Sequence, residues 1–396
     1  MLSPTRAGAE AESNGNAELR PTGQPDRNPR RERRLWHEPE RASSSLGCTA
    51  CPDKQLCGGL RLKAAFFDCL QFCCGKPEDC DRVCRNHPDY ADRVREVGTF
   101  ELATVPRADV LAAPNLPRVV PVIYHRTARR GPPVSETVAL PLYSLFDRRS
   151  GLPRYDSHAS LCETFGIRPG STIVLTGTGR DPPLERWWEL GEERRRKIIR
   201  AMKAVGIKLV TTPNYSLFID RPRWDDLHAI KRIAIIHEEF LREGMPAALH
   251  VNGRSETDFR RWATYLADRP EITHLAYEFT TGTRWAGRQE QHVQWLAELA
   301  TVVGRPLHLV VRGGLDVIPV LASAFAGMTV LDTSIFMKTM KRQRAYAKTN
   351  AALGWNPSPT ERGAPVDELF ADNCQFVEAW IGGIIAAPTE GAQMIG

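Results

Sequence analysis

Six apolar runs recur along the second half of this chain, and amphipathic stretches of helical length alternate with them. The runs cover residues 171–179, 206–214, 245–253, 273–282, 305–314 and 327–334. Runs that are apolar throughout are typical of strands buried on both faces, and strands that alternate with helices form parallel sheets. The helical stretches are predicted over residues 184–205, 224–243, 255–267, 289–303 and 316–326. This alternation predicts an α/β fold.

Two shorter β-rich runs, residues 119–125 and 138–143, bring the number of predicted strands to eight. Eight strands favour a (β/α)8 TIM-like barrel over an open doubly wound sheet, which stays open as the alternative. No clear helix separates the first two strands, so the barrel is expected to be irregular. We assign it to residues 97–396.

The composition is that of a soluble globular protein. The 396 residues are 42% hydrophobic and 25% charged. No run approaches the roughly 18 uninterrupted apolar residues of a membrane span, and the N-terminus has no apolar signal region. We therefore expect a cytoplasmic protein that does not engage a membrane.

Eight of the ten cysteines crowd into one short segment before the barrel. In a reducing compartment such crowding favours metal ligation over disulfides or inert thiols. We predict a small cysteine-rich metal-binding module over residues 47–96, preceded by a disordered basic arm over residues 1–46. Eight thiolates suffice for two four-ligand sites, and spacing does not decide between an iron–sulfur cluster and zinc. The predicted ligands are Cys48, Cys51, Cys57, Cys69, Cys73, Cys74, Cys80 and Cys84.

Two parts of the chain resemble known families. Cys48, Cys51 and Cys57 form C-x2-C-x5-C before two glycines, which resembles the auxiliary-cluster segment of SPASM-type radical enzymes, although Arg61 replaces the fourth cysteine of that motif. Residues 211–233, 244–266 and 277–283 resemble an uncharacterised bacterial family of barrel proteins of unknown function. That resemblance implies a barrel but neither a reaction nor a substrate.

Polar side chains stand at the C-terminal ends of the apolar runs. Because the carboxyl ends of all barrel strands lie on one face, these side chains are expected to lie near each other. A titratable group such as Glu278 or His250 inside an apolar run needs a partner or a role, because its burial is costly. For each of these residues, the alternative to a catalytic role is a hydrogen bond that only stabilises the fold. We predict Glu278 or Asp332 as general base and His250 as a second acid or base. The predicted catalytic residues are His250, Asn252, Glu278 and Asp332.

A cluster of basic residues follows the last predicted strand. Five positive charges lie between residues 338 and 348 with no acid from residue 333 to residue 360, which suits an anionic partner, although a solvated helix face is the alternative. Residues 194–197, which follow two glutamates, are interpreted as an exposed, salt-bridged surface. The predicted substrate-binding residues are Asn214, Arg312, Lys338, Lys341, Arg342 and Arg344.

Two functional hypotheses follow. The first is a cytoplasmic bacterial enzyme containing zinc or an iron–sulfur cluster, whose barrel acts on an anionic, nucleotide-like small molecule in an unknown reaction. The second is a non-catalytic nucleic-acid-associated protein with a zinc-binding module and a scaffold barrel. The sequence does not indicate an oligomeric state.

Overall fold

The structure is a computed structural model that describes residues 90–218, 223–280, 286–349, 352–361 and 363–386. It also describes two short strands, Ala42–Ser43 and Leu60–Arg61, which pair antiparallel. The eight clustered cysteines, and with them the predicted metal sites, lie outside the described residues. The rest of the predicted basic arm does so as well.

Eight parallel strands form the sheet, and each falls within one of the predicted runs or begins one residue before it. In chain order they are β1 (Val119–Pro121), β2 (Thr137–Pro141), β3 (Thr172–Thr176), β4 (Ile207–Thr211), β5 (Ala247–His250), β6 (His274–Glu278), β7 (His308–Arg312) and β8 (Gly327–Asp332).

The sheet order is β1-β8-β7-β6-β5-β4-β3-β2, so all strands but the first pair neighbour each other in chain order. A single parallel bridge between Val122 and Ala139, with a hydrogen bond of 2.8 Å from the Ile123 amide to the Ala139 carbonyl, joins β1 to β2. The prediction of a TIM-like barrel is confirmed.

Helices surround the strands. They are α1 (Tyr90–Val97), α2 (His158–Phe165), α3 (Asp181–Glu189), α4 (Gly191–Ala204), α5 (Arg223–Arg242), α6 (Glu256–Ala267), α7 (Ala286–Val303), α8 (Ile318–Ala324), α9 (Ser334–Met340) and α10 (Asp367–Ala386). Short 3-10 turns lie at Leu102–Thr104 and Leu142–Ser144. A hairpin of β9 (Gln343–Ala347) and β10 (Leu353–Pro357) follows α9.

Local sequence explains where several helices begin and end. The predicted helix over residues 184–205 is two helices, because Gly191 adopts φ +75° and interrupts the backbone. The helix predicted from Ser255 begins there as expected: Ser255 and Asp258 form a capping box at the start of α6.

Two apolar layers hold the barrel together. Inside it, each strand contributes at least one small or branched side chain, such as Ala139, Ala248 and Ala276, to a buried central cluster. Outside it, the opposite faces of the strands pack on the helices in a much larger core. Because successive strand residues alternate between these layers, the inner cluster defines which side chains face the barrel axis.

The irregularity of the barrel lies between β1 and β2, as predicted. Their connection, residues 122–136, contains no helix. Helix α10 instead packs on β1, α8 and α9, and its Val377 and Ile381 are buried in the outer core. Asp367, the first residue of α10, accepts hydrogen bonds from the Arg130 and Gly131 amides of that connection. The last helix thus covers a strand that lacks a crossover helix of its own.

Across the described ranges, no helix combines the length and the apolar character that crossing a bilayer requires.

Candidate active site

Polar side chains replace the apolar lining at the carboxyl ends of β3 to β7. The inner cluster of these strands contains Val174, Leu209, Ala248, Ala276 and Val310. Side chains two residues further along a strand share the same face. The residues in those positions, which face the mouth of the barrel, are Thr176, Thr211, His250, Glu278 and Arg312.

A cavity of about 250 Å³ opens beside this ring of polar residues. It is lined by side chains that follow β4, end or follow β5, and end β6, including Asn214, His250, Asn252 and Glu278. The structure therefore brings three of the four predicted catalytic residues and one predicted substrate-binding residue to one cavity.

His250 is held in one tautomer. Its ring is buried, and Nδ1 lies 2.5 Å from the main-chain carbonyl oxygen of Thr212. Because a carbonyl oxygen only accepts, Nδ1 carries the proton and Nε2 of the neutral ring is left as an acceptor. Burial lowers the pKa of His250 to about 4, against the opposing effect of the Thr212 carbonyl, and the charge of Arg312 lowers it further. At neutral pH the ring is uncharged.

Glu278 accepts two hydrogen bonds from neighbouring polar groups. Asn214 donates from Nδ2 to one carboxylate oxygen at 3.4 Å, and the Thr280 hydroxyl donates to the other. The Oδ1 atom of Asn214 is buried and has no hydrogen-bond partner among the described residues.

Asn252 joins two loops at the cavity. Its side-chain amide donates to the Tyr215 carbonyl at 2.8 Å, and the main-chain carbonyl of Asn252 accepts from the Trp262 indole at 2.8 Å. These bonds tie the loop after β5 to the loop after β4 and to α6. Asn252 is thus a positioning residue with part of its surface in the cavity.

Arg312 stands beside Glu278, since the two residues are register partners on β7 and β6. Its Nη1 donates to the Thr178 carbonyl at 3.4 Å, while its buried Nε has no hydrogen-bond partner among the described residues. The lining of the cavity does not include Arg312. The guanidinium nevertheless places a positive charge at the barrel mouth.

The cavity lining also includes residues that were not predicted from the sequence, among them Tyr277, Arg288 and His292. The Tyr277 hydroxyl and His292 Nδ1 share a hydrogen bond. Burial, followed by the charge of Arg288, lowers the pKa of His292 to about 3. Arg288 and His292 are four residues apart at the start of α7, and this helical spacing just after a strand end was the signal available in the sequence.

Asp332 has a different environment. Leu331 belongs to the inner cluster, so Asp332 faces the outer layer and is absent from the lining of the cavity. Its buried carboxylate accepts from the Ile335 amide at 2.6 Å and from the Ser334 hydroxyl at 2.8 Å, in the first turn of α9. Burial raises its pKa despite these bonds. The geometry is that of a helix-capping group.

The four predicted basic residues lie on α9 and the following segment and do not line the cavity. Lys338 lies 6.0 Å from the centre of the Trp355 ring. Arg342 donates to the Ala364 carbonyl at 3.1 Å, and Arg344 forms an ion pair with Asp372. Lys341 is exposed. The predicted role of these four residues in binding the substrate of the cavity therefore has no support in its lining.

Within the described part of the chain, no three or more His, Cys, Asp or Glu side chains are arranged to hold a metal ion. The two cysteines described there, Cys162 and Cys374, are buried free thiols.

Comparison with known proteins adds little to this picture. No protein-family model matches the chain, and no curated protein matches it. Among solved structures, it is similar to a protein from Burkholderia cenocepacia J2315 described as a "putative lyase/mutase". The two are 15% identical, with a TM-score of 0.32, over 63% of this chain and 88% of that one. The resemblance to an uncharacterised barrel family therefore stays a prediction.

Proposed function

We propose that this protein is a barrel enzyme that carries out proton transfer on a small anionic molecule bound at the carboxyl ends of β4 to β6. The observation that supports this most is the meeting of Glu278 with the neutral ring of His250 in one cavity. A carboxylate and an oriented imidazole are groups that general acid–base catalysis requires.

The two groups have different roles in this proposal. Glu278, which accepts hydrogen bonds from Asn214 and Thr280, is the base that takes a proton from the substrate and returns it. His250 is neutral and its Nε2 accepts a hydrogen bond from a hydroxyl or amide of the substrate, which fixes the orientation of the reacting group. Asn214 donates to the Glu278 carboxylate and holds it in position.

The anionic character of the substrate follows from the cations nearby. Arg254 and Arg288 line the cavity and Arg312 stands beside Glu278, whereas Glu278 is the only carboxylate in the described lining. Asp226 compensates Arg254, which it contacts at 2.6 Å. Three arginines at or beside a cavity whose described lining contains one carboxylate suit a carboxylate or phosphate ligand better than a cation. The cavity thus supports an enzyme better than a scaffold barrel that merely carries a nucleic-acid-binding module.

A substrate-independent experiment tests this proposal. The full-length protein is incubated in D2O with a mixture of carboxylate and phosphate metabolites, and mass spectrometry detects deuterium gained by any compound. We expect protein-dependent exchange that is lost in Glu278→Gln, which keeps the shape and the neighbouring donors. Exchange that is unchanged in this variant would overturn the assignment of Glu278.

We also propose that the eight clustered cysteines bind zinc or an iron–sulfur cluster in a module that precedes the barrel in the sequence. The support is their number and spacing in the sequence. Anaerobic purification followed by metal and sulfide analysis distinguishes the two cofactors. Cys51→Ser and Cys57→Ser are expected to lose metal and protease resistance, and metal-free protein of equal stability would refute the proposal.

A further inference from the structure

The hairpin of β9 and β10 is firmly attached to the barrel through one edge. Asn373 of α10 is fully buried and accepts from the Ala345 amide at 2.8 Å. The same side chain donates to the Gln343 carbonyl and to the Thr339 hydroxyl, both at 2.9 Å. Ala345 is buried as well. The face of β9 that carries Ala345 is thus turned to the protein.

The opposite face of β9 presents an aromatic ring between two cations. Strand alternation places Arg344, Tyr346 and Lys348 on this face. Arg344 and Lys348 are exposed, and Tyr346 is partly exposed. The ladder continues to Lys348, whose amide donates to the Ala352 carbonyl at 2.8 Å.

Tyr346 lies flat on the hairpin because its partner across the ladder is glycine. Gly354 is the register partner of Tyr346, and it is buried although it lies in an outlying two-stranded hairpin. A Cβ atom at Gly354 would come within 2.5 Å of the Tyr346 ring. The ring therefore covers the glycine with one side, and its partial exposure comes from the other side.

The segment that carries this ring is rich in positive charge. Residues 333–360 contain five cations and no acid. Of these cations, Arg344 has a carboxylate partner, Asp372, and both side chains of that pair are about half exposed. An exposed pair contributes little and is screened by salt. Lys341 and Lys348 are exposed, and the described ion pairs give them no partner.

From this face we infer a binding surface for single-stranded nucleic acid, with Tyr346 stacking on a base and the cations on either side of it, Arg344 and Lys348, contacting phosphates. A flat ring flanked by cations is the arrangement that binds unpaired bases without reading their sequence. A duplex keeps its bases stacked and cannot use the ring, and an acidic protein would use the charges but not the stacking. This inference is independent of the proposed enzyme activity.

Fluorescence anisotropy tests it with full-length protein and labelled oligo(dT) and oligo(U) of about 20 nucleotides, at about 50 and 200 mM salt. We expect both strands to bind more tightly than a duplex of the same length. Tyr346→Leu keeps an apolar side chain over Gly354 but removes the π-face, so affinity should fall roughly 5- to 100-fold with an unchanged melting temperature. Tyr346→Phe should bind as the wild type does.

The charges are tested by the salt dependence. Lys348→Ala should weaken binding and should reduce the slope of log affinity against log salt by about 0.7. Lys197→Ala is the matched control, because Lys197 is exposed on α4 and already paired with Glu193. It should leave binding unchanged.

Several results would overturn the inference. These are no binding of either strand, equal affinity for the duplex, wild-type affinity in Tyr346→Leu, or displacement by polyglutamate as effectively as by oligo(dT). Replacement of the five arginines between residues 27 and 34 by serine tests the basic arm. If that change abolishes binding while the hairpin variants leave it intact, the arm and not the hairpin is the binding surface.

Discussion

The imidazole of His250 donates from Nδ1 to the main-chain carbonyl of Thr212, 2.5 Å away, across the boundary between β5 and β4. The Thr212 hydroxyl in turn accepts from the His250 amide at 2.9 Å. The orientation of the ring therefore depends on the backbone just after β4. That backbone is closely packed against Gly177, which follows β3.

Gly177→Ala should disturb this arrangement. A Cβ atom at Gly177 would come within 2.5 Å of the Thr212 carbonyl oxygen and still closer to that of Thr211. Since both contacts are with backbone, the loop must move, and we expect a loss of about 1–3 kcal/mol in the free energy of unfolding. Urea denaturation measures this.

Gly170→Ala is the matched control for that change. Nothing lies within 4 Å of a Cβ atom at Gly170, and its φ is not positive. Its effect should stay within about 0.5 kcal/mol. Equal stability of the two variants would show that the contact at Gly177 imposes no constraint.

The pH dependence of stability should carry a contribution from His250. Its pKa in the folded protein is about 4, below the usual 6.5, so between these values the unfolded chain binds more protons than the folded one. The stabilisation from the neutral ring is therefore complete above pH 6.5 and is lost as the pH falls towards 4. The size of the effect is on the order of 1–3 kcal/mol.

His250→Asn isolates that contribution, because the asparagine amide can still donate to the Thr212 carbonyl but does not titrate. The free energy of unfolding of this variant should fall less between pH 6.5 and pH 4 than that of the wild type. Part of the dependence should remain, because burial also lowers the pKa of His237 to about 4. An unchanged dependence in His250→Asn would contradict the assigned protonation state.

Asp332→Asn separates a capping role from a catalytic one. The asparagine oxygen can still accept from the Ile335 amide, so we expect a loss of no more than about 1 kcal/mol. Asp332→Ala should lose about 1–2 kcal/mol, because the amide is then left without its acceptor. Deuterium exchange should persist in Asp332→Asn, in contrast to Glu278→Gln. Loss of exchange in a stable Asp332→Asn would restore Asp332 as a catalytic residue.

Strand ends were predictable from the sequence, whereas side-chain direction was not. The apolar runs located His250 and Glu278 at the mouth of the barrel because the period of two and the parallel order determine that end. Asp332 also ends a strand, but the inner cluster contains Leu331, which turns Asp332 to the other layer. When a strand is apolar on both faces, its sequence does not show which alternate residues face the barrel axis and which face the helices.

Contacts that depend on the assembled fold were also missed. Arg288 and His292 reach the cavity from α7, beyond the strand end that our sequence analysis considered. The hairpin escaped prediction because β9, with the sequence QRAYA, contains no β-branched or large aliphatic residue and is fixed by the distant Asn373. Helix α10 was also missed, although it carries a broad apolar surface. No predicted strand directly precedes it in the sequence, so the alternation of strands and helices did not reveal it.

The interpretation of residues 194–197 as an exposed surface was wrong for Arg195. Its guanidinium is buried and binds both carboxylate oxygens of Glu239, at 2.7 and 2.6 Å. It also donates to the Trp188 carbonyl at 2.7 Å and lies 4.7 Å from the centre of the Trp188 ring. Helix α4 turns this one arginine inward against α5, while Lys197 remains exposed.

Arg195→Ala should therefore be strongly destabilising. It leaves the Glu239 carboxylate buried without its partner, and breaking a buried pair in this way costs about 3–5 kcal/mol. Replacing both residues, as Arg195→Met with Glu239→Leu, removes the two charges together and should cost far less than the single change.

The exposed pair of Lys197 and Glu193 provides the control, since Lys197→Ala should change the free energy of unfolding by less than about 0.5 kcal/mol. Urea denaturation of the four proteins measures these differences. If Arg195→Ala is no more destabilising than Lys197→Ala, the pair does not hold α4 against α5, and the packing of these helices must depend on their apolar contacts alone.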